Sequence, residues 1–156
     1  MATLIKQLQD VVNAYISSGE PWPASTLQIA RWAVRTGRYH PQPSAVINQC
    51  ADQLGRAMRE EHIRDPQGRI VRAKHVAKVR QNGEQVALWA DIRTASREHM
   101  EIAFQQRRRQ IVGDCRQLKI DVDSYNQNAN TGKPIQMVFD FTVDLKELNL
   151  ELVSNL

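Results

Sequence analysis

Residues 69–92 read RIVRAKHVAKVRQNGEQVALWADI, and the fold turns on this stretch. Arg72, Lys74, Lys78 and Arg80 share one parity along it, while Val71, Ala73, Ala77 and Val79 share the other. That is the two-residue period of a strand, whose successive side chains point to opposite faces. Asn82-Gly83 follows, and both residues accept the positive φ that a tight hairpin turn demands. Gln85 to Ile92 supplies the return strand. The expectation is one strand from Arg69 to Arg80, paired in a hairpin whose positive charges lie on a single face.

Upstream, the pattern is helical. Leu4, Ile5, Leu8, Val11, Val12, Tyr15 and Ile16 recur at the spacing of one helix face until Gly19 and the GEPWP stretch interrupt it. Ser25 stands at an N-cap position before a second helix with Leu27, Ile29, Ala30 and Ala33 inward, and Gly37 can end it in a left-handed conformation. RYHPQP makes a rigid, non-helical connection. Ser44 then caps a third helix, with Val46, Ile47, Cys50, Leu54 and Met58 as its buried face, running to about Glu61. Asp65-Pro66-Gln67-Gly68 has the chemistry of a type I turn.

Downstream, Thr94 or Ser96 can cap a long fourth helix reaching about Tyr125. Phe104, Ile111, Cys115, Leu118, Val122 and Tyr125 step by threes and fours once Arg108 is counted, a seam that suits either a second copy or packing within the chain. The loop NQNANTGK follows. Ile135, Met137, Phe139, Phe141 and Val143 then alternate, which predicts a strand or extended arm, and a leucine-rich acidic stretch closes as a short helix. Gln136 to Phe141 (QMVFDF) also resembles the sliding-clamp-binding peptides of bacterial replication proteins. A buried edge strand is the simpler expectation for it.

The chain has 156 residues, a net charge of +4 and ordinary globular hydrophobicity. From Arg31 to Arg80, eleven cations face four carboxylates, a net of +7, whereas the residues from Asp121 onward carry a net of −4. The middle and the tail therefore suit different partners. No apolar run approaches the roughly 20 residues of a membrane span, and the start lacks the look of a secretory signal, so a cytoplasmic protein is expected. Cys50 and Cys115 sit at apolar-face positions and read as reduced core thiols. The histidines are scattered, no metal spacing or catalytic constellation can be assembled, and neither a cofactor nor an enzyme activity is expected.

The order helix, helix, connection, helix, turn, hairpin over about Ala2 to Ile92 resembles the winged helix-turn-helix superfamily, with REEHIRDPQGR in the place of a recognition helix entering a wing. Its connection RYHPQP is longer and richer in proline than the short turn usual there. The expected class is α+β and mostly helical: a winged domain over residues 1–92, a long helix for dimerisation or packing over 93–127, and an acidic C-terminal arm over 128–156.

The resemblance implies binding to double-stranded DNA, as a regulator or in the replication of a mobile element, and physical chemistry agrees. The leading end of a capped helix can enter a major groove about 12 Å wide, where amides pair with adenine. Ser44, Asn48, Gln49 and Gln53, with Arg56 a turn on, are the candidates there; solvated surface amides are the plainer reading. Arg69, Arg72, Lys74, Lys78 and Arg80 match a row of phosphates, the alternative being an exposed strand protected by charge. The tryptophans read as core, and Gln106 to Gln110 (QRRRQ), which could touch nucleic acid, reads better as a solvated helix face. A homodimer is expected through the long helix, with a protein partner for the tail. The rival class is a protein-interaction adaptor on the same fold.

Overall fold

The computed structural model describes residues 3–41 and 44–154. It is an α+β chain of five helices and two small antiparallel sheets, dividing into compact units Met1–Ala57 and Met58–Leu156. The division falls inside the third helix.

In the first unit, helix α1 (Leu4–Ser17) opens on the Thr3 hydroxyl, which accepts from the Lys6 N–H at 3.2 Å. Helix α2 (Thr26–Arg35) opens on a reciprocal cap: Ser25 Oγ accepts from the Gln28 N–H, and the Gln28 side chain accepts from the Ser25 N–H at 2.8 Å. Gly37, at φ +72°, ends it as the sequence predicts. The core is small: Tyr15, Trp32 and Ala33 are buried, with Val11, Ala14, Ala24 and Ile29 against them. Tyr15 and Trp32 meet edge to face at 5.4 Å, and the Tyr15 hydroxyl donates to the Pro21 carbonyl at 2.7 Å, fixing the GEPWP connection to α1.

Helix α3 (Ala45–Glu60) departs from expectation. Its apolar face is open: Val46 and Ile47 are 68% and 76% exposed, Leu54 is exposed, and so is Cys50. Cys50 is therefore no core thiol, and Cys115 is only half-buried. The physical reason is that Tyr15 and Trp32 already fill the α1–α2 contact, and no element among the described residues covers that face of α3. Within the RYHPQP connection, Gln42 and Pro43 lie outside the described residues.

The second unit corrects the expected single strand. Strand β1 (His62–Arg64) pairs with β2 (Ile70–Arg72) around the Asp65–Gly68 turn, and β3 (Lys74–Gln81) pairs with β4 (Glu84–Asp91) around Asn82-Gly83. The break comes at Ala73, fully buried, whose N–H donates to the Glu61 carbonyl at 3.0 Å while its carbonyl accepts from the Ile92 N–H at 2.8 Å. One residue thus ties both hairpins together. Asn82 and Gly83 take φ +51° and +81°, as the turn chemistry requires.

Helix α4 (Arg97–Asn128) is capped by Ser96 and lies along β3. Ala77 and Ala103 are buried between them, and their small side chains allow the close approach. His75 meets the Phe104 ring at 5.3 Å, and the His99 ring contacts the His75 carbonyl at 2.9 Å. Beyond α4 an irregular segment leads to helix α5 (Thr142–Ser154). The segment Gln136 to Phe141 is neither strand nor buried, which corrects the edge-strand expectation. Alternation alone does not make a strand where no partner strand is in reach.

Candidate nucleic-acid interface

In an antiparallel pair, directly opposed residues share a face. The register sets Lys74 against Asp91, Val76 against Trp89, Lys78 against Ala87 and Arg80 against Gln85. The predicted row therefore survives for Lys74, Lys78 and Arg80, three cations of one strand and one face. Arg72 belongs to β2, beyond the break at Ala73.

Charge is not equally available along the row. The Lys74 ammonium is 3.0 Å from Glu61 and 3.3 Å from Asp91, and hydrogen bonds to those carboxylates raise its pKa. Asp91 in turn takes the Arg93 guanidinium at 2.6 Å, and hydrogen bonds from Arg93 hold its carboxyl far below the usual range. Arg69 is bound to Asp65 at 2.7 Å. Burial works against the Asp65 charge, but hydrogen bonds from Arg69 and Gln67 outweigh it and leave the pKa lowered. Lys74 and Arg69 are structural cations here. Arg72, Lys78 and Arg80 have no carboxylate within ion-pairing distance among the described residues.

A groove of about 510 Å³ runs beside the edge of β3. Five cations line it, Arg59, Arg72, Lys74, Lys78 and Arg107, with the amides of Gln85, Gln106 and Gln110 and the Trp89 ring; no Asp or Glu does. Arg59, on the last turn of α3, lies over Trp89, with its guanidinium 5.5 Å from the ring centroid. The Gln106 amide pairs with the strand edge, accepting from the Lys78 N–H and donating to the Lys78 carbonyl, both at 2.8 Å. This fixes the α4 face that carries Ala103, Gln106, Arg107 and Gln110 at spacings of 3, 4 and 7.

Burial lowers the Arg107 pKa, and the charge of Arg72 adds to the effect. Like charges held partly out of water favour an anion between them. His75 is also pushed down, first by burial and then by Arg107, Arg72 and His99, although its bond to the Arg72 carbonyl opposes this. The groove thus includes an imidazole whose charged form burial disfavours.

Sequence reasoning missed Arg59 and preferred a solvated helix face for Gln106 to Gln110, of which Gln106, Arg107 and Gln110 line the groove. The available signal was Ala103, a small residue on the same helical face as three long polar ones, marking where the helix approaches another backbone. The remaining candidates, Ser44, Asn48, Gln49, Gln53 and Arg56, are exposed and lie in the first unit. Ser44 and Asn48 line a groove of about 390 Å³ with Leu4, Leu8 and Val11 of α1. Asp52 shares the exposed polar side of α3 with Gln49, Gln53 and Arg56, placing a carboxylate among the proposed base readers.

Among the described residues no group of His, Cys, Asp and Glu could hold a metal ion, and no helix is long and apolar enough to cross a membrane. Neither protein-family models, nor curated proteins, nor solved structures contain a match to this chain.

Proposed function

We propose that this chain is a sequence-specific binder of double-stranded DNA, with α1 to α3 and the β3–β4 hairpin acting as a winged helix-turn-helix. The observation that carries the reading is the carboxylate-free basic groove beside β3, continuous with the exposed Lys78 and Arg80. Lys78 and Arg80 along β3, with Arg72 of β2 and Arg107 of α4 beside the same groove, suit repeating phosphates better than a compact ligand, and each phosphate contact releases counterions. The exposed amides of Asn48, Gln49 and Gln53 supply donors and acceptors for base edges. Transcriptional control and mobile-element replication both fit such a protein, acting as a homodimer on paired half-sites.

Titration of labelled random-sequence duplex at about 50 and 200 mM salt tests the reading, with affinity expected to fall by about 10³-fold if six phosphates are contacted. Replacing Arg72, Lys78 and Arg107 together by Ala should weaken binding and flatten the salt slope by about 1 per lost contact. Binding that is absent, or indifferent to salt, overturns it.

A second reading, that of a protein-interaction adaptor, draws on the open apolar face of α3. Val46, Ile47 and Leu54 together make a stripe of the kind that docks partner proteins.

A further inference from the structure

The chain runs without helix, turn or bend from Ile135 to Phe141, tied to α4 at its start and leading into the cap of α5 at its end. At the start, Asn126 Nδ2 donates to the Ile135 carbonyl at 2.8 Å and Asn126 Oδ1 accepts from the Ile135 N–H at 2.9 Å. Asn130 Nδ2 donates to Asn126 Oδ1 and to the Lys133 carbonyl, stiffening the loop behind it. At the far end, Asp140 accepts from the Thr142 N–H at 3.1 Å and the Thr142 hydroxyl at 2.8 Å, opening α5. Between these anchors the backbone of Gln136, Met137, Val138 and Phe139 makes no hydrogen bond within the described residues. Val138 is 78% exposed, and Met137 and Phe141 are exposed as well. An anchored segment with open backbone groups and bulky apolar side chains has the form of a strand without its partner.

We infer that the partner is a second copy of this chain, the two segments pairing antiparallel about a two-fold axis at Val138. This gives the proposed dimer a position. The segment is self-complementary in that register: Met137 falls opposite Phe139, Ile135 opposite Phe141, and the Gln136 carboxamide opposite the Asp140 carboxylate. No like charges meet. A shift of one residue along the partner would set apolar side chains against polar ones.

The area agrees. The segment folds back beside α4, where Ile135 to Phe139 line a cleft with Lys119, Val122 and Asp123. Leu118 and Tyr125, which flank those positions along α4, are about half exposed. Half of each of these two side chains and of Met137, Val138 and Phe141, at roughly 150–200 Å² apiece, is on the order of 400 Å² of apolar surface. A standard stable interface covers about 800 Å² per partner, a little over half of it apolar.

The test uses the full chain with Cys50→Ser and Cys115→Ser. Facing residues on the axis lie about 4.5–5.5 Å apart between Cα atoms, within disulfide reach, so Val138→Cys should cross-link in high yield under mild oxidation. Met137→Cys, which faces Phe139 and not itself, should cross-link several-fold more slowly. Sedimentation should show a dimer at micromolar concentration, and Met137→Glu with Phe139→Glu should convert it to a monomer with unchanged circular dichroism. A wild-type monomer overturns the inference, including one that binds a purified sliding clamp through Gln136 and Phe141. So does a dimer that survives the double change without cross-linking at Val138. None of these readouts contains DNA, so their failure is distinct from failure of the nucleic-acid reading.

Discussion

At the scale of single residues, the candidate interface separates cations that hold the fold from cations that are free. Lys74 is bound to Glu61 and Asp91, whereas Lys78 has no carboxylate beside it among the described residues. Lys78→Ala is therefore expected to reduce duplex affinity several-fold more than Lys74→Ala does, measured by fluorescence anisotropy at low salt. Lys74→Ala should instead show its effect in urea unfolding. Asp91 sets a matching pH dependence. Its folded pKa lies below the unfolded value of about 3.9, so its contribution is complete above that pH and is lost as pH falls towards the folded pKa. Stability measured between about pH 4 and pH 2 should fall less steeply in Asp91→Asn than in the natural chain. An identical slope would show that the carboxylate is not engaged.

At the scale of elements, the decisive contact is between α4 and the edge of β3. A strand edge left unpaired is open to other chains, and here the Gln106 amide occupies one pair of its backbone groups. Gln106→Ala leaves the Lys78 N–H and carbonyl to water, at a cost of about 1 kcal/mol, with faster hydrogen exchange at the Lys78 amide. Overpacking the same contact should cost more. Ala77 is fully buried under α4, so Ala77→Leu is expected to destabilise by about 1–3 kcal/mol in chemical denaturation. An unchanged midpoint would show that α4 does not rest on this face.

For the molecule as a whole, little of the apolar content is internal. The first unit depends on Tyr15, Trp32 and Ala33, while α1, α3, α4 and α5 all carry exposed large apolar residues. Trp32→Ala should cost about 3–5 kcal/mol. Ile47→Asp, on the open face of α3, should change stability by no more than about 0.5 kcal/mol while altering any association that uses that face. Urea denaturation of both variants checks the pair; comparable losses would mean that Ile47 is buried in solution.

The local chemistry of the sequence was sufficient for much of the architecture. The Ser25 cap, a cap at Thr94 or Ser96, the Asp65–Gly68 turn and the Asn82-Gly83 hairpin each depend on residues within a few positions of one another, so their patterns could be read directly. Two-residue periodicity likewise put Lys74, Lys78 and Arg80 on one face. What only the tertiary structure decided is non-local: that Ala73 splits the expected strand, that Glu61 and Asp91 neutralise Lys74, and that α4 brings Arg107 to Arg72. Neither a carboxylate seventeen positions away nor a helix residue three turns past its cap leaves a periodic trace, because such pairings follow from how elements meet and not from what their neighbours in sequence are.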